Sequence, residues 1–236
     1  MMTDQLASYR DVGNRFRQCC FGVVAVTCLV SLGCNGEASV SGTQSSRQES
    51  IGASTSNSAP VLEKIKFKIG DGKTAFSWKP QADGAKLVDA DEKEISRYNR
   101  DGTKLKIKGP DDVVLAYVVG SGDQYKVKSA DQQKELWELQ KQADGDWKLK
   151  DGSGKLIYMI KMRPYGFEVE DGNENSLAKI KLKDGKLSLR DPAEKTLYYT
   201  KDRATAIAMS CLAFEVVKSL PVRCGLMTML LLDNAN

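Results

Sequence analysis

The sequence predicts a mainly β protein: repeated β-hairpins, with a period of about 20 residues, closing into a barrel around a buried apolar C-terminal helix. Three observations carry this. From residue 61 onward, short segments alternate apolar with charged residues, as in Trp147-Lys148-Leu149-Lys150, the period of a sheet with one wet face. Turn residues punctuate these segments at regular spacing. The stretch from Ala204 to Val217 is then apolar nearly all round, with Glu215 its single charge.

The repeat is legible residue by residue. Phe67, Leu87, Leu105, Tyr125, Trp147, Phe167 and Leu187 mark the first strand of successive units, at separations of 20, 18, 20, 22, 20 and 20. Each unit reads strand, turn, strand, turn, as in WKLK-DGSG-KLIYMI, FEVE-DGNEN-SLAKIKL and KLSL-RDPAE-KTLYY. Asp151-Gly152, Asp171-Gly172 and Asp191-Pro192 supply turns within units; Asp101-Gly102, Asp144-Gly145 and Asp184-Gly185 separate them. Asp131 to Ala143 has the composition of a helix, but the repeat register demands a strand at 134–140. Seven hairpins give up to fourteen strands. An open sheet of that size would expose two aggregation-prone edges, and closure removes them.

The helix is expected at about 204–219, built on Ala204, Ala206, Ala208, Met209, Leu212 and Phe214. A helix without a polar face is buried in a core or spans a membrane. Glu215, Lys218, Pro221 and Arg223 interrupt the tract, so neither uncharged run approaches the ~20 residues a span requires. The helix is therefore expected to thread the barrel, with Leu226 to Leu232 forming a strand or a second helix at the barrel mouth.

Hairpin units of this length around a C-terminal apolar helix, with texture such as WKLKDGSGKLIYMI, resemble the tubby C-terminal fold of the LURP-one-related proteins and phospholipid scramblases. The resemblance covers about residues 61–232 and implies a tubby-like β-barrel domain over 61–236. Tubby proteins bind phosphoinositide head groups through particular basic residues; none aligns to a position of this chain.

Residues 1–33 read as a secretory signal. Arg10, Arg15 and Arg17 precede an uncharged, mostly apolar run from Cys19 to Gly33, a basic region followed by a short hydrophobic one. The run ends in Ser31-Leu32-Gly33-Cys34, which resembles the bacterial lipobox and implies lipid attachment at Cys34. Ser31 stands where leucine is usual, which leaves ordinary signal-peptidase cleavage and an uncleaved anchor as alternatives. Asn35 is not the Asp that holds lipoproteins at the inner membrane, so the resemblance leans towards the outer one. Residues 34–60, rich in Ser, Gly, Thr and Ala, hold too little apolar surface to offset their ordering entropy and are expected to form a flexible tether.

The chemistry that remains is sparse. The 236 residues contain 35 basic and 31 acidic side chains, interspersed, and no histidine. No nucleic-acid partner is expected from so mild a balance. Without histidine, catalysis would fall to carboxylates, Lys, Ser, Tyr or Cys. No nucleophile elbow, phosphate loop or paired-carboxylate motif occurs, so no catalytic, cofactor or metal residue is assigned. Cys211 and Cys224 are either one disulfide or two buried apolar residues. DGNENS at 171–176 resembles part of a calcium loop but reads better as a turn. KLKIK (104–108) and KIKLK (179–183) offer a basic stripe for anionic lipid or polyanion, or else a solvated face. Trp78, Trp137, Trp147, Tyr117, Tyr125, Tyr158, Tyr198 and Tyr199 could line a sugar or ligand surface, but strand positions facing a barrel core explain most of them.

Together these readings anticipate an exported lipoprotein of the bacterial cell envelope, on the periplasmic face, non-enzymatic and of binding or structural type. Its partners would be the membrane, through the anchor, and a protein, polymer or anionic lipid. The alternative is an enzyme acting on envelope lipid or glycan through carboxylate or Lys residues, which predicts a cleft holding a carboxylate of raised pKa.

Overall fold

The computed structural model describes residues 62–234. The segment read as a signal (1–33), Cys34 and the segment read as a tether (34–60) lie outside the described residues. Fourteen antiparallel strands close into one barrel, each bonded to its neighbours in sequence, with the last returning to the first. They are β1 Ile65–Lys68, β2 Thr74–Gln81, β3 Gly84–Asp89, β4 Glu94–Asp101, β5 Lys104–Lys108, β6 Val114–Ser121 and β7 Gln124–Ser129. The circuit continues with β8 Glu135–Lys141, β9 Trp147–Asp151, β10 Leu156–Arg163, β11 Gly166–Asp171, β12 Ser176–Lys183, β13 Lys186–Arg190 and β14 Thr196–Thr200. All seven repeat markers fall on odd-numbered strands, and the strand that the repeat demanded over a helix-prone stretch is β8.

The two mouths of the barrel are rimmed by different turns. At one mouth, each odd strand passes to the next even one through a longer loop closed by a left-handed residue. These residues are Gly72, Glu92, Asp112, Gln132, Gly154, Glu174 and Glu194, with φ between 62° and 92°. They stand 20 residues apart, save 22 between Gln132 and Gly154. Each donates its N–H to the carbonyl three residues back, and each hairpin carries a register shift beside the turn. The opposite mouth is rimmed mainly by two-residue turns such as Gly102-Thr103, Gly122-Asp123 and Asp184-Gly185, whose twist matches the strands they join.

The acids at the first mouth are structural. Asp89 Oδ1 accepts from the N–H groups of Asp91 and Lys93, and Asp151 Oδ1 from those of Ser153 and Lys155. Asp171 does the same for Asn173 and Asn175. The calcium-like segment is thus a turn whose carboxylate is already committed to its own backbone; the Asn175 side chain, then backbone N–H groups, lower the Asp171 pKa.

The barrel interior is filled, as the sequence predicts, but by a different stretch of chain. Residues 204–219 do not form one helix. Ala206–Ser210 is a short helix, α1, followed by a 3₁₀ turn at Cys211–Ala213. The chain then breaks at Phe214, which stacks on Tyr158 with ring centroids 5.9 Å apart. Val216 N–H donates to the Tyr158 hydroxyl at 3.2 Å, fixing the reversal. The main helix is α2, Leu220–Asp233. Pro221, read from sequence as an interruption, sits in its first turn, where a missing N–H costs nothing. Leu226 to Leu232 belongs to this helix, and Leu226 through Leu231 is buried within the barrel.

Three wall aromatics hold α2 at three heights. Tyr98 on β4 donates to Pro221 O (3.1 Å), Trp78 on β2 donates its indole N–H to Thr228 Oγ1 (2.9 Å), and Tyr125 on β7 donates to Asp233 Oδ2 (2.7 Å). Each buries a large apolar body and pairs its polar tip, as burial requires. Gly225 lies in mid-helix, where glycine costs about 1 kcal/mol against alanine. A Cβ there would meet the Ile107 side chain at Cδ1 and Cγ1, so any residue but glycine requires Ile107 to move aside. Cys211 and Cys224 are both free thiols and fully buried. Of the two readings of this pair, the structure shows the apolar one.

Candidate functional site

The outer wall of the barrel carries lysines and ion pairs. A barrel crossing a membrane presents an apolar band there instead. Among the described residues, no helix is long and apolar enough to cross a membrane. Most wall cations are paired across strands. Lys161 and Arg163 hold Glu170 at 2.7 and 3.0 Å, and Glu168 accepts from Ser176, Arg163 and Tyr165. The left-handed rim residues join in. Glu92 binds Lys64 and Lys79, and Glu194 binds Lys179, Lys181 and Arg190. These lysine partners hold the Glu92 carboxyl, and likewise that of Glu194, at about 2.

Pairing is not complete: Lys104, Lys106, Lys128 and Lys148 form no ion pair among the described residues, and a group of five such lysines gathers at the closing seam. Where the sheet closes, Lys183 lies opposite Lys186 across β12 and β13, and Lys68 of β1 lies opposite Tyr199 of β14. Lys186 Nζ stands 4.0 Å above the Tyr199 ring. Lys66, Lys68, Lys183, Lys186 and Lys201 form no ion pair among the described residues. The acids nearest in sequence are Asp184, in the turn between Lys183 and Lys186, and Asp202, which accepts the Lys66 backbone N–H at 2.7 Å. The two lysine-rich segments singled out in the sequence fall on β5 and β12, which are not neighbours, so they do not form one stripe. Lys108 is paired with Asp112, and Lys179 and Lys181 with Glu194; Lys183 alone of the second segment joins the seam. What sequence reading missed is that the two ends of the domain, β1 and β14, meet here. Alternating lysine along a single strand carries no sign of which neighbouring carboxylates reach it.

The second candidate is a cavity of about 480 Å³ at the mouth where α2 begins, within the size range of small-ligand sites. Its apolar lining includes Ile69, Leu177, Leu189, Leu197 and Leu212, with Tyr158, Tyr198, Glu215 and Arg223 as the groups that bear polar atoms. Arg223 donates through Nη1 to Leu212 O at 2.8 Å. Its Nε is buried without a hydrogen-bond partner, and no carboxylate lies within ion-pairing distance of the guanidinium among the described residues. The Tyr158 hydroxyl accepts from Val216 N–H, and no acceptor for its own hydrogen lies among the described residues. Burial raises the Tyr158 pKa, with Glu215 adding to the rise and Arg223 opposing it, so both charges are felt at the phenol. The sequence offered Tyr158 and Tyr198 among aromatics that could line a ligand surface but did not bring the site together, because its residues come from the turn after β1, from β10, β12, β13 and β14, and from the C-terminal segment.

Reactive groups are subdued. Burial pushes the Cys224 thiol up to about 12 and raises Cys211 well above its ordinary value, so neither is a thiolate at neutral pH. Every carboxylate whose pKa departs clearly from its ordinary value is lowered, Glu168 by Ser176 first and Arg163 after it. Lys126, Lys161 and Lys179 are raised by their glutamate partners. Of the aromatic residues weighed in sequence, Trp78, Tyr125, Trp147 and Tyr158 belong to the buried core cluster. Tyr117 and Tyr199 instead lie on the outer wall beneath Lys104 and Lys186.

No family model matches the chain, and no curated protein matches it. A solved structure of a protein from Arabidopsis thaliana is similar over 66% of this chain and 93% of its own, at 11% identity and a TM-score of 0.35.

Proposed function

We propose that this chain is an exported lipoprotein of the bacterial cell envelope, anchored by lipid at Cys34, that binds an anionic lipid surface through its basic seam and performs no catalysis. The observation that carries the reading is the group of five lysines gathered at the β12-β13-β14-β1 seam, none of which has a carboxylate partner among the described residues. Lysine near an anionic bilayer contributes about 1 kcal/mol each, a salt-sensitive attraction. The chain enters the barrel at β1, so a lipid at Cys34 would leash the domain by the strand that carries Lys66 and Lys68. Two or three acyl chains on a lipidated cysteine would make that leash stable, each buried CH₂ adding about 0.8 kcal/mol. The apolar C-terminal helix inside a ring of hairpins supports a tubby-like assignment of the domain.

Two measurements test this. Mass spectrometry of the mature N-terminus is expected to find Cys34 as the first residue, carrying acyl chains; an unmodified terminus elsewhere overturns the anchor. The Cys34→Ser chain is expected to sediment with phosphatidylglycerol–phosphatidylcholine vesicles at low salt and not with pure phosphatidylcholine. Joint replacement of Lys66, Lys68, Lys183, Lys186 and Lys201 by Gln should abolish that binding. Retained binding would remove the seam from the account.

A further inference from the structure

We infer that the cavity at the mouth beside the start of α2 is a binding site for a single aliphatic chain ending in a carboxylate, such as a medium-chain fatty acid, with Arg223 as the ionic partner of its head. The inference does not rest on the basic seam, which lies on the outer wall.

Three features point to this chemistry. The lining is aliphatic along most of its length, and Ile69 and Leu177 remain 37% exposed at its edge. Side chains of that kind gain by covering, and a hydrocarbon chain is what they cover best. Arg223, in the same lining, brings a positive charge into the first turns of α2, where the helix dipole already disfavours a cation. Its one bond is to a neutral carbonyl, and its buried Nε faces no acceptor. A buried donor left unmade is costly, and a charged one more so. The Tyr158 hydroxyl offers a further hydrogen with no acceptor among the described residues. These donors ask for an acceptor-only group that is negatively charged, which a carboxylate is. Glu215, exposed at the same cavity, is the one acid of the lining and would repel such a head. It therefore distinguishes an anion from a zwitterion: a ligand carrying an amine as well would use Glu215 as its partner.

The test uses the full chain held in phosphatidylcholine nanodiscs, dialysed to equilibrium against radiolabelled decanoate below its aggregation concentration. Empty nanodiscs measure partition into lipid. The expected result is saturable binding above that background, one decanoate per chain. Arg223→Gln should weaken it about tenfold, the value of a hydrogen bond to a charged group. Decan-1-ol should bind more weakly than decanoate and be indifferent to the same substitution. Glu215→Gln should tighten decanoate binding severalfold. Leu177→Glu, at an exposed rim position where folding is not at stake, should abolish it, and carries the test should Arg223→Gln fail to fold. Absence of saturable binding, or binding unchanged in both Arg223→Gln and Leu177→Glu, overturns the site. Weaker binding in Glu215→Gln overturns the assignment to a simple anion.

Discussion

The two ends of α2 carry charges of the wrong sign for a helix dipole, and the barrel treats them in opposite ways. At the C-terminal end, Asp233 is met by Arg100 at 2.5 Å, by the Tyr125 hydroxyl at 2.7 Å and by Gly122 N–H at 3.4 Å. At the N-terminal end, Arg223 has a backbone carbonyl and no anion. One mouth is latched; the other is left with spare donors beside a cavity. Marginal stability leaves little room for such an omission unless something else satisfies it, and that contrast separates a structural end from one available for binding.

The largest expected effect comes from the helix between the two mouths. Gly225→Val should cost about 3 kcal/mol through overpacking against Ile107, read as a lowered denaturation midpoint. It sets the scale of a change that disturbs both mouths together.

Next come the ends themselves. Asp233→Ala should cost about 2 kcal/mol, because it leaves Arg100 without its counter-charge and the Tyr125 hydroxyl without its acceptor at a site only 14–20% exposed. Arg223→Ala should cost below about 1 kcal/mol in the absence of ligand. Equal costs by urea unfolding would erase the distinction between a latched and an open mouth.

Acid separates the two rims in another way. The Glu92 and Glu194 carboxyls, lowered from 4.5 to about 2, both lie on the rim at the start of α2. Their folded pKa is the depressed one, so their contribution is complete above pH 4.5 and is lost as pH falls towards 2. A Glu92→Gln/Glu194→Gln variant should be less stable at neutral pH and show a flatter decline across that window in pH-dependent unfolding. A decline unchanged from the parent would place the acid-sensitive groups elsewhere. Smallest is the gain from Gln132→Gly. Gln132 is held at φ 62°, and glycine there relieves left-handed strain at some cost in unfolded-chain entropy, for a net increase of about 0.5 kcal/mol. A matching loss would mean that the Gln132 side chain holds the rim.

The hairpin period was legible because it is local chemistry. Alternation places Leu87, Leu105 and Tyr125 inward, and a turn must recur wherever the chain reverses. Even the helix-prone Asp131–Ala143 yielded to that register, since a missing strand would have opened the barrel at two edges. The position of the core helix was not legible. Propensity favoured the alanine-rich 204–217 over LPVRCGLMTMLLLD, with its proline, glycine and threonine. Inside a closed barrel, however, the choice falls on fit: Gly225 where the Ile107 side chain fills the space, Thr228 where Trp78 needs an acceptor, and Asp233 where Arg100 and Tyr125 wait.

By itself, the amino-acid sequence determined the number and spacing of hairpins, the closure of the sheet, the presence of an apolar filling and the expectation of an anchor at Cys34. These follow from patterns that each residue shares with near neighbours in the chain. Tertiary structure alone decided which stretch fills the barrel, which lysines keep a free charge and where a guanidinium lacks its partner. Those outcomes depend on distances between residues far apart in sequence, such as Arg100 and Asp233, or Lys68 and Tyr199, and such distances exist only once the barrel has closed.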